Sequence, residues 1–83
     1  MEIKHDIENG RVWTEIEGMT AELEYEVNDG SLNVVHTYVP KELEGQGIAS
    51  KLVQFTFDYA NANGLKPAAA CWYAKAWLER HKG

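Results

Sequence analysis

Gly45 and Gly47 stand two residues apart in the stretch Val39-Pro40-Lys41-Glu42-Leu43-Glu44-Gly45-Gln46-Gly47-Ile48-Ala49. Glycines here, between a strand pattern and a helix pattern, suit an anion site. The first backbone N–H groups of a helix lack intrahelical acceptors, and the helix dipole adds partial positive charge at the same end. Removing two side chains lets a phosphate approach those groups closely. Turn sterics alone also account for glycine at such a junction, so on spacing both readings stand. Lys41 and Lys51 are the neighbouring cations, and each serves equally as a solubilising surface residue. The P-loop pattern GxxxxGK[ST] is absent, as are a Ser-His-Asp set, a paired catalytic carboxylate and a metal-ligand spacing. Glu22, Glu24 and Glu26 alternate along one strand with no His or Asp joining them, which marks a solvated face.

Those glycines sit between two kinds of periodicity. Before them the chain alternates as strands do. Ile3, His5 and Ile7 give a modest first strand over Glu2 to Ile7, and Asn9-Gly10 is a strong turn dipeptide. Arg11 to Ile16 follows, broken by Gly18. Met19 to Asn28 then places Ala21, Leu23, Tyr25 and Val27 on one face and Thr20, Glu22, Glu24 and Glu26 on the other. After Asn28-Asp29-Gly30, residues Ser31 to Val39 form a fourth strand. Leu32, Val34, His36 and Tyr38 share one face, with Asn33, Val35, Thr37 and Val39 on the other. Apolar residues on both faces predict a central strand covered twice.

After the glycines the period changes to that of a helix. Ile48, Leu52, Phe55, Tyr59 and Ala62 form a stripe, widened by Ala49, Val53, Phe57 and Ala60, over a helix from Gly47 to Asn63. Asn63-Gly64 is a left-handed stop. Leu65 to Cys71 reads as a short extended segment, then Trp72-Tyr73, then a closing helix from Ala74 to His81 with Arg80, His81 and Lys82 at its end. The expected fold class is α+β: a mostly antiparallel sheet of about five strands, a long helix after the fourth and a short C-terminal helix, all in one domain of 83 residues.

A net charge of −5 argues against a nucleic-acid backbone binder, which needs a clustered basic surface. The single cysteine, Cys71, cannot form an internal disulfide, which favours a reducing compartment. No secretory leader pattern or membrane-length apolar run is present. The expectation is a cytoplasmic protein with no membrane partner, monomeric or a weak homodimer.

Three motifs in order resemble the minimal, single-domain, small bacterial-type branch of the GNAT N-acetyltransferase superfamily. They are His36-Thr37-Tyr38-Val39-Pro40, Leu43-Glu44-Gly45-Gln46-Gly47-Ile48-Ala49 and Cys71-Trp72-Tyr73. Together they span nearly the whole chain, and the second is similar to the superfamily's (Gln/Arg)-x-x-Gly-x-(Gly/Ala) acetyl-CoA signature. The chain departs from the pattern at Glu44, where Arg or Gln is usual. A carboxylate there is electrostatically unfavourable beside a pyrophosphate, leaving the backbone to hold the anion. Tyr38 stands where relatives often carry an acid, and the two helices that larger members place between their first strands are missing. The acceptor pocket is therefore expected to be shallow, or completed by a partner.

The resemblance implies acetyl-CoA as cofactor and acyl transfer to an amine of a small molecule or protein. It implies cofactor contacts at Tyr38, Val39, Glu44, Gly45, Gln46, Gly47, Ile48, Ala49 and Lys51, with the Val39 N–H able to polarise the thioester carbonyl. His36, with an ordinary pKa near 6.5, is the candidate base, or else a histidine packed for structural reasons. Cys71 is a candidate nucleophile or a small buried hydrophobe. Tyr73 is a candidate proton donor to the leaving thiolate or a packed aromatic. A non-catalytic CoA-binding module, or a protein-interaction domain using exposed aromatics, are the alternatives.

Overall fold

The computed structural model describes residues 1–81, so Lys82 lies outside the described residues. Five strands pair in the order β1 (Lys4–Asp6), β2 (Arg11–Ile16), β3 (Met19–Asn28), β4 (Ser31–Tyr38) and β5 (Lys66–Ala69). The first three pairings are antiparallel and β4–β5 is parallel. A 3-10 turn over Lys41–Leu43 and helix α1 (Ile48–Ala62) connect β4 to β5, and α2 (Trp72–Arg80) closes the chain. The sheet is mixed, with antiparallel pairs predominating, and the class is α+β as expected.

Hairpin chemistry sets the register of the first strands. Gly10 adopts a left-handed φ of 65°, and a Cβ there would run into the Tyr25 carbonyl oxygen. Its own carbonyl accepts the Tyr25 N–H at 2.8 Å, so β3 packs directly against the β1–β2 turn. One sheet face then buries Val12, Thr14, Ala21, Leu23, Tyr25, Leu32 and Val34. Val27, expected on that face, lies near the strand end and is exposed. Both helices cover this single face, where Leu52, Val53, Phe57, Ala60, Ala74 and Trp77 complete the core. The buried stripe of α1 runs through Thr56, whose hydroxyl donates to the Leu52 carbonyl at 2.8 Å, and leaves the expected Ala62 exposed.

Strand β4 departs from strict alternation. Tyr25 pairs with Val34 but Glu24 pairs with His36, so Val35 is an extra residue opposite a register break. A bulge shifts the side-chain phase by one. Leu32 and Val34 point inward, then Thr37 does so opposite Leu23, while His36 and Tyr38 turn to the outer face. The expected common face for Leu32, Val34, His36 and Tyr38 is thus corrected, and so is double coverage: the outer face of β4 carries no helix.

The ends of α1 match the glycine signals. Gly47 is its N-cap with φ 75°, and Gly64 follows its C-cap with φ 69°. There the Leu65 N–H donates to the Ala60 carbonyl at 2.8 Å and the Gly64 N–H to Asn61 at 3.3 Å, a Schellman pair. Helix α2 starts two residues earlier than expected, because Cys71 is extended and serves as its N-cap. Among the described residues no helix is long and apolar enough to cross a membrane.

Candidate active site: a cleft where the fourth and fifth strands part

Pairing of β4 with β5 ends at Val34–Ala69. The Ala70 and Cys71 N–H groups both donate to the Val34 carbonyl, at 3.0 and 3.1 Å, and there the two chains diverge. Beyond that point the bulge carries β4 onward on one side, while the N-cap of α2 turns the other chain away. The gap is a cleft of about 570 Å³. Thr37, Tyr38 and Val39 line it from β4, and Cys71, Trp72 and Tyr73 line it from the start of α2. The remainder comes from Leu43, Glu44, Gly45, Gly47, Ile48 and Ala49. All three sequence motifs therefore meet at one opening.

The glycine turn is held by its neighbours. Pro40 precedes the 3-10 turn, Leu43 N–H donates to the Pro40 carbonyl at 2.9 Å, and the Leu43 side chain is buried in the core. Gly45 and Gly47 then both take left-handed φ values, 83° and 75°, with open space where a Cβ would stand. The first helical bond runs from Lys51 N–H to the Gly47 carbonyl at 3.1 Å. The N–H groups of Ile48, Ala49 and Ser50 thus precede the hydrogen-bonded ladder. A turn with glycine at positions 45 and 47, opening onto unbonded helix N–H groups, fits a phosphate. Among the cleft-lining residues the one formal charge at neutral pH is the Glu44 carboxylate, which does not.

Cys71 is half-buried, and its S–H donates to Thr37 Oγ1 at 3.6 Å. Burial pushes the thiol upward. Hydrogen bonding from the Ala74 N–H, the Thr37 hydroxyl, the Tyr73 N–H and the Thr37 backbone outweighs it, so the net shift is below the usual thiol value. A thiol at the first turn of a helix gains the same way from the dipole.

Of the candidate residues, the cleft brings together Cys71, Tyr73, Tyr38, Val39, Glu44, Gly45, Gly47, Ile48 and Ala49. Gln46 and Lys51 are exposed and do not line it. Neither does His36, which the bulge turns to the outer face across from Glu24. Thr37, Leu43 and Trp72 line the cleft although sequence alone offered no site role for any of them; Trp72, expected in the core or an interface, is exposed. Thr37 belongs to the first motif, but strict alternation assigned it the face opposite Val34. Trp77, by contrast, is core: its Nε1–H donates to Ser50 Oγ at 2.9 Å, and its ring lies 5.8 Å from Phe57.

With this geometry, similarity to known proteins gains a structural context. A family model described as GCN5-related N-acetyl-transferase matches residues 11–83. Among solved structures, the NMR solution structure of a GCN5-like candidate N-acetyltransferase from Staphylococcus aureus superposes with a TM-score of 0.76. It is 33% identical and covers 98% of this chain and 80% of that one. The matched residues include the strand parting, the glycine turn and the Cys71–Tyr73 segment, so this chain belongs to the GCN5-related N-acetyltransferase family.

Proposed function

We propose that the chain binds acetyl-CoA in the β4–β5 cleft and transfers the acetyl group to an amine. The observation that carries this reading is the convergence of a glycine turn, unbonded helix N–H groups and a thiol-bearing helix start on one opening. When bound, the thioester supplies an acetyl group already activated for attack by an amine. The N–H groups of Ile48 and Ala49 would hold the phosphate end, and Gly45 and Gly47 leave it room. Tyr38 and Val39 offer backbone polar groups along the β4 wall, which β5 has left unpaired. Cys71 and Tyr73 are the protic side chains facing them, and either can return a proton to the departing thiolate. His36, on the outer face, would reach the amine only from outside the cleft.

One observation favours a second reading. Glu44 puts a negative charge beside the anion cradle, which suits a module that retains weak CoA contact without turnover. Thermal unfolding with excess CoA or acetyl-CoA tests the site. Ligand at 100 times its dissociation constant adds about 2.7 kcal/mol, or more than ~5 °C of midpoint in a domain this small. A rise is expected, followed by thiol release when amines are added. No rise at millimolar ligand removes the acetyltransferase reading.

A further inference from the structure

The cleft wall that carries Cys71, Trp72 and Tyr73 is the start of a nine-residue helix, and a helix fixed at one end alone is free to pivot. Its first fixed point is Cys71. The Cys71 N–H donates to the Val34 carbonyl at 3.1 Å, and the thiol reaches Thr37 Oγ1 at 3.6 Å. The second is Trp77, a buried side chain whose indole N–H donates to Ser50 Oγ at 2.9 Å. Hydrophobic burial is non-directional, so packing against Phe57 keeps the Trp77 ring in the core without fixing its angle. The hydrogen bond does fix it, because such bonds weaken steeply out of alignment.

A buried indole needs an acceptor wherever it sits. Here the acceptor comes from the first turn of α1, at the residue directly after Ile48 and Ala49. On α2, Trp77 stands four residues after Tyr73, so the two lie on one side of the helix, about one turn apart. Neither Ser50 nor Trp77 lines the opening. Their bond lies behind the cleft and ties the glycine-turn wall to the Cys71–Tyr73 wall.

We infer that the Ser50–Trp77 hydrogen bond holds the two walls of the cleft at a fixed separation, which makes Ser50 and Trp77 positioning residues for acetyl-CoA. This rests on the acetyl-CoA reading of the cleft, and it adds two residues outside the cleft that set how its walls meet. Without the bond, α2 keeps its buried face but takes a range of angles about Cys71. Only a fraction of those angles brings Cys71 and Tyr73 against a ligand seated on the glycine turn, and apparent affinity falls with that fraction.

The test is acetyl-CoA affinity by calorimetry, with urea midpoints alongside, in the wild type, S50A, S50T, W77F and the S50A/W77F double variant. Alanine is a good helix former, so S50A removes the acceptor and little else. It is expected to bind about fivefold more weakly, the worth of one ordinary hydrogen bond, and S50T, which keeps the hydroxyl, to recover most of that loss. W77F and the double variant should lose the same factor as S50A, not its square, because each removes the same bond. Unchanged affinity in S50A with a lowered urea midpoint makes the bond purely structural and overturns the inference. Losses that multiply in the double variant overturn it too, since the two residues would then act separately. So does a loss that S50T fails to recover. Should W77F not fold, the S50A and S50T arms decide the matter. If the wild type does not bind acetyl-CoA, the reading of the cleft fails and this inference with it; if the wild type binds and S50A binds as tightly, this inference alone falls.

Discussion

At the residue scale, Cys71 and Glu44 are the two side chains through which the electrostatics of the cleft can be tested. Cys71 is held as a thiol of lowered pKa by groups that converge on its sulfur, among them the Thr37 hydroxyl. Thr37→Val removes that partner while keeping the shape, so the thiol pKa should rise. Alkylation by iodoacetamide near pH 7.5 should then slow about fivefold, the worth of one ordinary hydrogen bond, with Thr37→Ser restoring the rate. An unchanged pH profile in Thr37→Val would show that the α2 N–H groups alone stabilise the sulfur. If the glycine turn holds a phosphate as proposed, the Glu44 carboxylate opposes it. Glu44→Gln removes a repulsion of about 1 kcal/mol, so acetyl-CoA affinity by calorimetry should improve roughly fivefold. Weaker binding in that variant would mean the carboxylate instead orders the turn.

At the scale of elements, the bulge in β4 does what no single residue reveals. A strand read alone shows its alternation, and Leu32 and Val34 were legible as sharing a face because β4 obeys period two up to that point. The extra residue at Val35 is a property of the β3–β4 pair, and nothing in the composition of either strand announces it. Its consequence is to turn Thr37 toward Cys71 and His36 away from the cleft. The helices were more legible: Gly47 and Gly64 mark both ends of α1. The start of α2 was hidden because Cys71 is a cap residue of uncommon type.

Strand β1, only three residues long, is anchored by His5. Its ring lies edge-on to Tyr59 at 4.7 Å, Phe55 at 5.5 Å and Tyr25 at 5.7 Å, and its Nε2 shares a 2.7 Å hydrogen bond with the Tyr25 hydroxyl. Burial lowers the His5 pKa, against a smaller upward push from Asp6. Below about pH 6.5 the folded chain therefore binds fewer protons here than the unfolded chain. This contribution to stability is complete above that pH. It declines on acidification between 6.5 and the lowered folded value. Asp6, held low by its Asn9 hydrogen bonds, loses its contribution only on further acidification, as the pH falls below the ordinary carboxylate value. Urea midpoints should thus fall from pH 7.5 to 5, and His5→Gln, which does not titrate, should flatten that fall. An equal slope in the variant would assign it to other groups.

At the scale of the whole molecule, one core supports both walls of the cleft. The β4 and glycine-turn wall is tied to α1 through Ile48 and Leu43, and the Cys71–Tyr73 wall begins α2. Trp77 joins the two helices through Phe57 and Ser50, with His81 stacked on its outer side at 3.9 Å. Trp77→Ala should cost about 3–5 kcal/mol, read from denaturant unfolding, a large part of the stability available to so small a chain. Trp77→Phe should lose less, because the ring packing survives and one hydrogen bond goes. A loss below about 1 kcal/mol in the alanine variant would mean that α2 docks independently of this contact. The outer face of the sheet carries His36 and the glutamates of β3 and is covered by neither helix.

The proposed acetyl-CoA site in the β4–β5 cleft is tested most directly by NMR. Backbone amide signals followed during an acetyl-CoA titration should move in one saturable process at Tyr38, Val39, Gly45, Gly47, Ile48, Ala49 and Cys71. The β1–β2 turn around Asn9 and Gly10 should stay still. Shifts centred on that turn, or none at the start of α1, would contradict the assignment of the β4–β5 cleft as the acetyl-CoA site.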